Sequence, residues 1–209
     1  MSRREQYLEA LGVEVWTLRA RDAWESLRTQ VSGCTHCELC QSRTQTVFGV
    51  GNRAAGLLVI GEAPGAEEDR RGEPFVGRAG QLLNSMLRAV GQSRDSVYIA
   101  NVLKCRPPGN RDPTPAEVAC CLPYLQQQIE LLSPRVILVV GRIAAQNLLG
   151  TTETVGRLRG RMHRLGARGT PLIVTYHPAY LLRSPGEKRR AWSDLKLARA
   201  ALREAQRDA

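Results

Sequence analysis

Four short segments of the chain hold side chains suited to acid–base or recognition chemistry, and a fifth has the spacing of a metal site. GEAPGAEED at 61–69 sets four carboxylates, Glu62, Glu67, Glu68 and Asp69, on a Gly/Pro turn. No Lys-Ser/Thr pair follows its second glycine and it lacks GxGxxG spacing, so it is neither kind of phosphate-binding loop. Acids here suit positioning a water or opposing developing positive charge. Glu67 fits the ordinary task of capping the next helix, whereas Glu62, beside a strand end, is the stronger candidate for chemistry. GEPFVGRAG at 72–80 then places Phe75, one of only two Phe, between Pro and Gly rather than on a periodic apolar face. A loop aromatic packs under its own loop or offers a stacking surface to a flat ring.

In NVLKCRPPGNR at 101–111, Asn101 ends a strand and offers one acceptor and two donors, which can match a pyrimidine edge. Lys104, Arg106 and Arg111 make the following loop basic and suited to phosphates. In YHPAYLLR at 176–183, His177 is one of three His and is fixed by Pro178, a candidate donor to a leaving group. Leu181 and Leu182, ahead of Arg183, are either core residues or an apolar wedge beside a phosphate contact, as in proteins that open a duplex. Cys34-x-x-Cys37-x-x-Cys40 is a local chelating hairpin, and Cys105, Cys120 and Cys121 come later. Thiolates at this spacing suit zinc or an iron–sulfur cluster. The spacing leaves open which four of the six bind.

These segments need a frame. Apolar runs at 57–60, 97–102, 136–140 and 172–175, punctuated by Pro or Gly, fit strands buried on both faces. Helical periodicity covers 79–90, 115–132, 142–149 and 188–206, and Thr114-Pro115 with Glu117 reads as an N-cap with Pro at the first helical position. The alternation predicts an α/β fold with a mainly parallel, four-stranded sheet. Ligands of such folds bind at the carboxyl ends of strands, where the acid turn, Asn101 and His177 all fall. Residues 3–31 carry Leu8, Leu11, Val15, Leu18, Trp24, Leu27 and Val31 at near-helical spacing, broken near Gly12. We therefore expect a helical extension over 1–30 ahead of one domain over 31–209.

Composition narrows the partner. Lys and Arg outnumber Asp and Glu by 30 to 20, giving a net charge of +10 and a pI near 9.9, which favours a polyanion. No apolar run reaches the roughly 20 residues of a membrane span and the start lacks a signal-peptide core, so a soluble intracellular protein is expected. Six cysteines in a reducing compartment point away from a disulfide framework.

Taken in order, GEAPG with its EED, GEPFVGRAG, NVLKCRPPGNRDP and HPAYLLR resemble the family 4 uracil-DNA glycosylases over about residues 34–192. The resemblance implies a three-layer α/β/α fold and a 4Fe-4S cluster on Cys34, Cys37, Cys105 and Cys121, with Cys120 a competing neighbour. It implies that Phe75 stacks on an extrahelical uracil and that Asn101 hydrogen-bonds its edge. Backbone amides around Glu62 and Ala63 would hold its oxygens, and His177 would donate to O2 as charge grows there. Glu62 and Glu68 become candidates for water positioning and support of a cation-like sugar, Glu62 first. Ala63 stands where the best-known uracil glycosylases have a water-activating aspartate. Leu181, Arg183, Lys104 and Arg106 would contact DNA, with Leu181 or its neighbour filling the gap left by the extruded nucleotide. The expected partner is uracil-containing DNA, double- or single-stranded, acted on by a cytoplasmic, nucleoid-associated monomer.

Two other readings compete. One is a superfamily relative that traps uracil-DNA covalently through a histidine-bearing loop. That group has GEQPG where this chain has Ala63, and VGRLRGRMH at 155–163 looks like the ordinary glycosylase loop. The other is a non-catalytic nucleic-acid-binding protein with structural zinc, which would leave the acid turn, Phe75, Asn101 and His177 without a shared purpose.

Overall fold

The computed structural model describes Leu11 and residues 20–207. The apolar runs form β2 (Leu57–Gly61), β3 (Tyr98–Asn101), β4 (Val136–Val140) and β6 (Thr170–Thr175), which pair in parallel in the order β3-β2-β4-β6. Two further strands, β1 (Val50–Gly51) beside β3 and β5 (Met162–Leu165) beside β6, add antiparallel edges, so among the described residues the sheet has six strands rather than the expected four. Neither edge strand has an apolar run: β1 is two residues long and β5 alternates exposed with half-buried positions.

Side chains alternate between two helical layers, as a sheet covered on both faces requires. On one face Leu58, Ile60, Ala100, Ile137, Val139 and Val174 meet α1 (Ala20–Ser32), α5 (Pro115–Leu132) and α6 (Arg142–Leu149). On the other Leu57, Val59, Ile99, Leu138 and Ile173 meet α4 (Arg78–Ala89) and the long α9 (Lys188–Arg207). Each buried Val, Leu or Ile among them contributes about 1.5–3 kcal/mol, so the two faces supply most of what holds the layers together. Trp24, Leu27 and Val31, spaced three and four apart on α1, are buried in the first layer. Leu8, Val15 and Leu18 lie outside the described residues. Among these residues no helix is long and apolar enough to cross a membrane.

Shorter helices complete the strand ends: α2 (Leu39–Ser42), α3 (Ala66–Arg71), α7 (Val155–Leu158) and α8 (Pro178–Arg183). The start of α5 forms as the sequence predicts: Thr114 Oγ1 accepts from Glu117 N at 3.3 Å, and the Glu117 carboxylate accepts from Thr114 N at 2.8 Å. Asp194 of α9 is fully buried and saturated, accepting from Thr175 Oγ1 (2.8 Å), Arg159 Nε (3.0 Å) and Nη2 (2.8 Å), and Gly160 N (3.1 Å). This network ties the end of β6 to α9 and to the loop before β5, two residues ahead of His177.

Candidate active site

A cleft of about 450 Å³ opens at the carboxyl ends of β2, β3 and β6. Its walls include Glu62, Ala63, Glu68, Phe75, Asn101 and His177, so the four segments converge, the last more than 100 residues after the first. The convergence requires close approach at the end of β2. A Cβ added to Gly61 would lie 2.5 Å from Asn101 Oδ1 and 2.6 Å from Phe75 Cζ, both closer than real side chains tolerate. Phe75 is itself buried, with a left-handed φ of 55°, and its ring centroid lies 5.6 Å from that of His177. Arg94 donates to the carbonyl oxygens of Pro74 and Phe75, holding this strained turn in place.

The polar groups of the cleft divide into tied and free. Both Glu68 oxygens are tied: one accepts from Gly65 N (3.1 Å), the other from Val76 N (3.0 Å) and Gly77 N (3.1 Å). Glu68 therefore joins the acid turn to the Phe75 loop. Asp69 is buried and accepts from Thr44 N, and Glu67 is an exposed partner of Arg70. By contrast, the Glu62 carboxylate has no hydrogen-bond partner among the described residues. Burial, with Asp112 adding repulsion against the opposing pull of Arg142, pushes it up to about 7. Asn101 is buried and its Oδ1 has no hydrogen-bond partner among the described residues, an unmet acceptor at the cleft wall.

His177 Nδ1 accepts from Ala179 N at 3.1 Å, so the neutral ring carries its proton on Nε2. Burial and the nearby Arg183 charge pull this imidazole down to about 4, which keeps it neutral at physiological pH. The cleft thus offers an aromatic face, an amide edge, a neutral N–H donor and one untied carboxylate. This set can grip a flat heterocycle with an acceptor–donor–acceptor edge and stabilise negative charge on one of its oxygens.

A second pocket is lined by all six cysteines with His36, Arg43 and Tyr124. Lys104 N donates to Cys121 Sγ at 3.1 Å and Arg43 Nη1 to Cys105 Sγ at 3.1 Å. Burial pushes the Cys121 thiol up to about 11 and raises Cys37 and Cys105, so these groups would release protons on taking a metal. Among the described residues, no three His, Cys, Asp or Glu side chains could share a single metal ion. Six thiols around one pocket are donors enough for the four thiolates that hold an iron–sulfur cluster.

The family model of the uracil DNA glycosylase superfamily matches residues 48–196. A type-4 uracil-DNA glycosylase of Archaeoglobus fulgidus is 42% identical over 84% of this chain and 91% of its own length. One from Pyrobaculum aerophilum is 42% identical over 83% and 91%, and one from Thermotoga maritima 46% over 77% and 83%. The chain belongs to the type-4 uracil-DNA glycosylases. Its α/β sheet with helices on both faces is that family's fold.

For this type-4 chain, the structure brings together Glu62, Ala63, Glu68, Phe75, Asn101 and His177, with Arg183 at the rim. Two expected DNA contacts are corrected. Lys104 is 1% exposed: its Nζ donates to Asn101 O (2.8 Å) and Gln128 Oε1 (2.6 Å), and burial pulls it down to about 8. It supports the Asn101 strand end from inside and cannot reach a phosphate. Leu181 is also 1% exposed, packed in the layer of α4 and α9, so it is core rather than wedge. Arg106 is half-buried and donates to Asn110 Oδ1 at 2.8 Å, bracing the loop wall. Sequence reasoning gave no role to Tyr180, which lines the cleft, or to Arg94. Tyr180 stood in view within the HPAYLLR segment, whereas nothing local marks Arg94, 19 residues from Phe75 in the chain.

Proposed function

We propose that this protein excises uracil from DNA by hydrolysing the bond between uracil N1 and deoxyribose C1′, leaving an abasic site. The observation that carries this reading is the convergence of the Phe75 ring, the unpartnered Asn101 amide and the neutral His177 on one cleft. Phe75 stacks on the extruded base. Asn101 Oδ1 accepts from uracil N3–H while its amide donates to O4, the pairing that fills its empty acceptor. Backbone amides near Glu62 and Ala63 hold the uracil oxygens. As the C1′–N1 bond breaks, its electron pair moves onto the base, and the His177 Nε2–H donates to O2 where the charge grows.

Glu62 does the remaining work at the sugar. With Glu68 committed to backbone amides, Glu62 is the cleft carboxylate left to orient water and oppose positive charge at C1′. Glu68 contributes through the loop junction it makes. Arg183 and Arg106 meet the DNA backbone, and a monomer acting on nucleoid DNA in the cytoplasm suffices. Cys34, Cys37, Cys105 and Cys121 hold a 4Fe-4S cluster, supported by the thiol-lined pocket and the N–H donors at Cys105 and Cys121. When bound, the cluster supplies a cross-link between the cysteine hairpin and the segments flanking the 106–114 loop.

The test is incubation of purified protein with a labelled uracil-containing oligonucleotide. Free uracil and abasic sites in multiple turnovers are expected. A denaturation-resistant protein–DNA adduct, or binding without release, would refute hydrolysis.

A further inference from the structure

We infer that Tyr180 is the residue that enters the duplex and occupies the gap left by the extruded uracil nucleotide. The inference rests on the uracil-excision reading and names the part of the site that opens double-stranded DNA. With Leu181 buried, α8 presents two large apolar side chains to solvent, Tyr180 and Leu182, each 38% exposed. Only Tyr180 lines the cleft, on the turn that begins with His177. A side chain that replaces a flipped base must stand next to the pocket receiving it, a condition Tyr180 meets and Leu182 does not.

Tyr180 is also backed by a second aromatic ring. Its ring centroid lies 5.1 Å from that of Tyr176. The guanidinium of Arg159 sits over the Tyr176 ring, 5.8 Å from its centroid. Arg159 is locked to the fully buried Asp194 by two hydrogen bonds. Tyr180 is the exposed member of this tilted pair. An aromatic ring held at such a position can take the place of a base between its neighbours, because every base offers it a π-face. Contact with the Tyr176 ring, itself against the Asp194-bound Arg159, restrains the side chain, so less of its freedom is lost when DNA closes around it.

The distinguishing readout is the ratio of excision from duplex to excision from single strands, since only the duplex has a gap to hold open. Tyr180→Ala is expected to lower that ratio between about 5-fold and about 150-fold, the span of losing one base–aromatic stack. Tyr180→Phe should restore it, and Leu182→Ala should leave it at the wild-type value. A bulky aromatic nucleotide placed opposite uracil, filling the gap from the other strand, should rescue Tyr180→Ala. An unchanged ratio in Tyr180→Ala, or a loss in Leu182→Ala of equal size, would overturn the inference. Absence of uracil release by the wild-type protein from either substrate would instead overturn the glycosylase reading beneath it.

Discussion

The uracil cleft and the network around Asp194 lie at the same edge of the sheet and use their polar groups in opposite ways. Asp194 is fully buried and every acceptor position is filled, by Thr175, Arg159 and Gly160. In the cleft, among the described residues, Asn101 Oδ1 has no partner, the Glu62 carboxylate is untied and His177 keeps a free N–H. Unmet polar groups cost stability, and a fold retains them where a ligand will complete them. Between these two regions the saturated network belongs to the scaffold and the incomplete one to the chemistry. Trp24, Asn84 and Tyr98 also leave a buried polar atom unpartnered among the described residues, but none of them lines the cleft.

The comparison makes ordered predictions. Asp194→Ala, which strands the Arg159 charge, should lower stability by about 3–5 kcal/mol in chemical denaturation. A loss below 1 kcal/mol would show that the saturated network is not the scaffold. In the cleft the sign reverses: His177→Ala or Asn101→Ala should slow single-turnover excision by roughly 100- to 1,000-fold with DNA affinity and stability nearly intact. Cys34→Ala should lose iron and lower Tm by about 5 °C or more without altering the chemistry of protein that remains folded. Unchanged iron content would remove Cys34 from the ligand set.

A smaller effect follows from Glu62. Its folded value of about 7 lies above the ordinary carboxylate range, so its ionised form is lost as pH falls below 7. Excision should therefore drop about tenfold per pH unit on the acid side, and Glu62→Gln should abolish that limb. The same shift makes the folded state bind the extra proton between the ordinary value and 7, so this group's contribution to stability declines as pH rises through that window. His177, held at about 4, should add no titration above pH 5. The smallest effect belongs to Arg183→Ala, which should flatten the salt dependence of DNA binding by about one unit of log–log slope.

Much of this was legible in the sequence because the inner strands are continuous apolar runs and their ends carry unusual residues. The helices over 115–132 and 142–149 match their periodicity to the residue, and Thr114 caps the first as its pattern foretold. The acid turn, Phe75, Asn101 and His177 were each visible one at a time. Two kinds of information were hidden. Edge strands such as β5, half solvent-facing and bearing His163 and Arg164, lack the apolar signal that inner strands give. Side-chain direction was the other: Lys104 reads as a member of a basic loop, yet it points inward to Gln128, 24 residues away. Leu181 and Leu182 are equivalent as letters, and only the packing of α8 against α4 sends one in and leaves the other out.

The central claim, that one cleft grips uracil between Phe75, Asn101 and a neutral His177, is tested most directly by nitrogen NMR of histidine-labelled protein titrated with free uracil at pH 7. The account predicts a His177 ring protonated on Nε2 alone, whose Nε2–H resonance shifts on adding uracil, and loss of that response in Asn101→Ala. A doubly protonated His177 at this pH, or uracil binding that leaves its resonance unmoved, would contradict it.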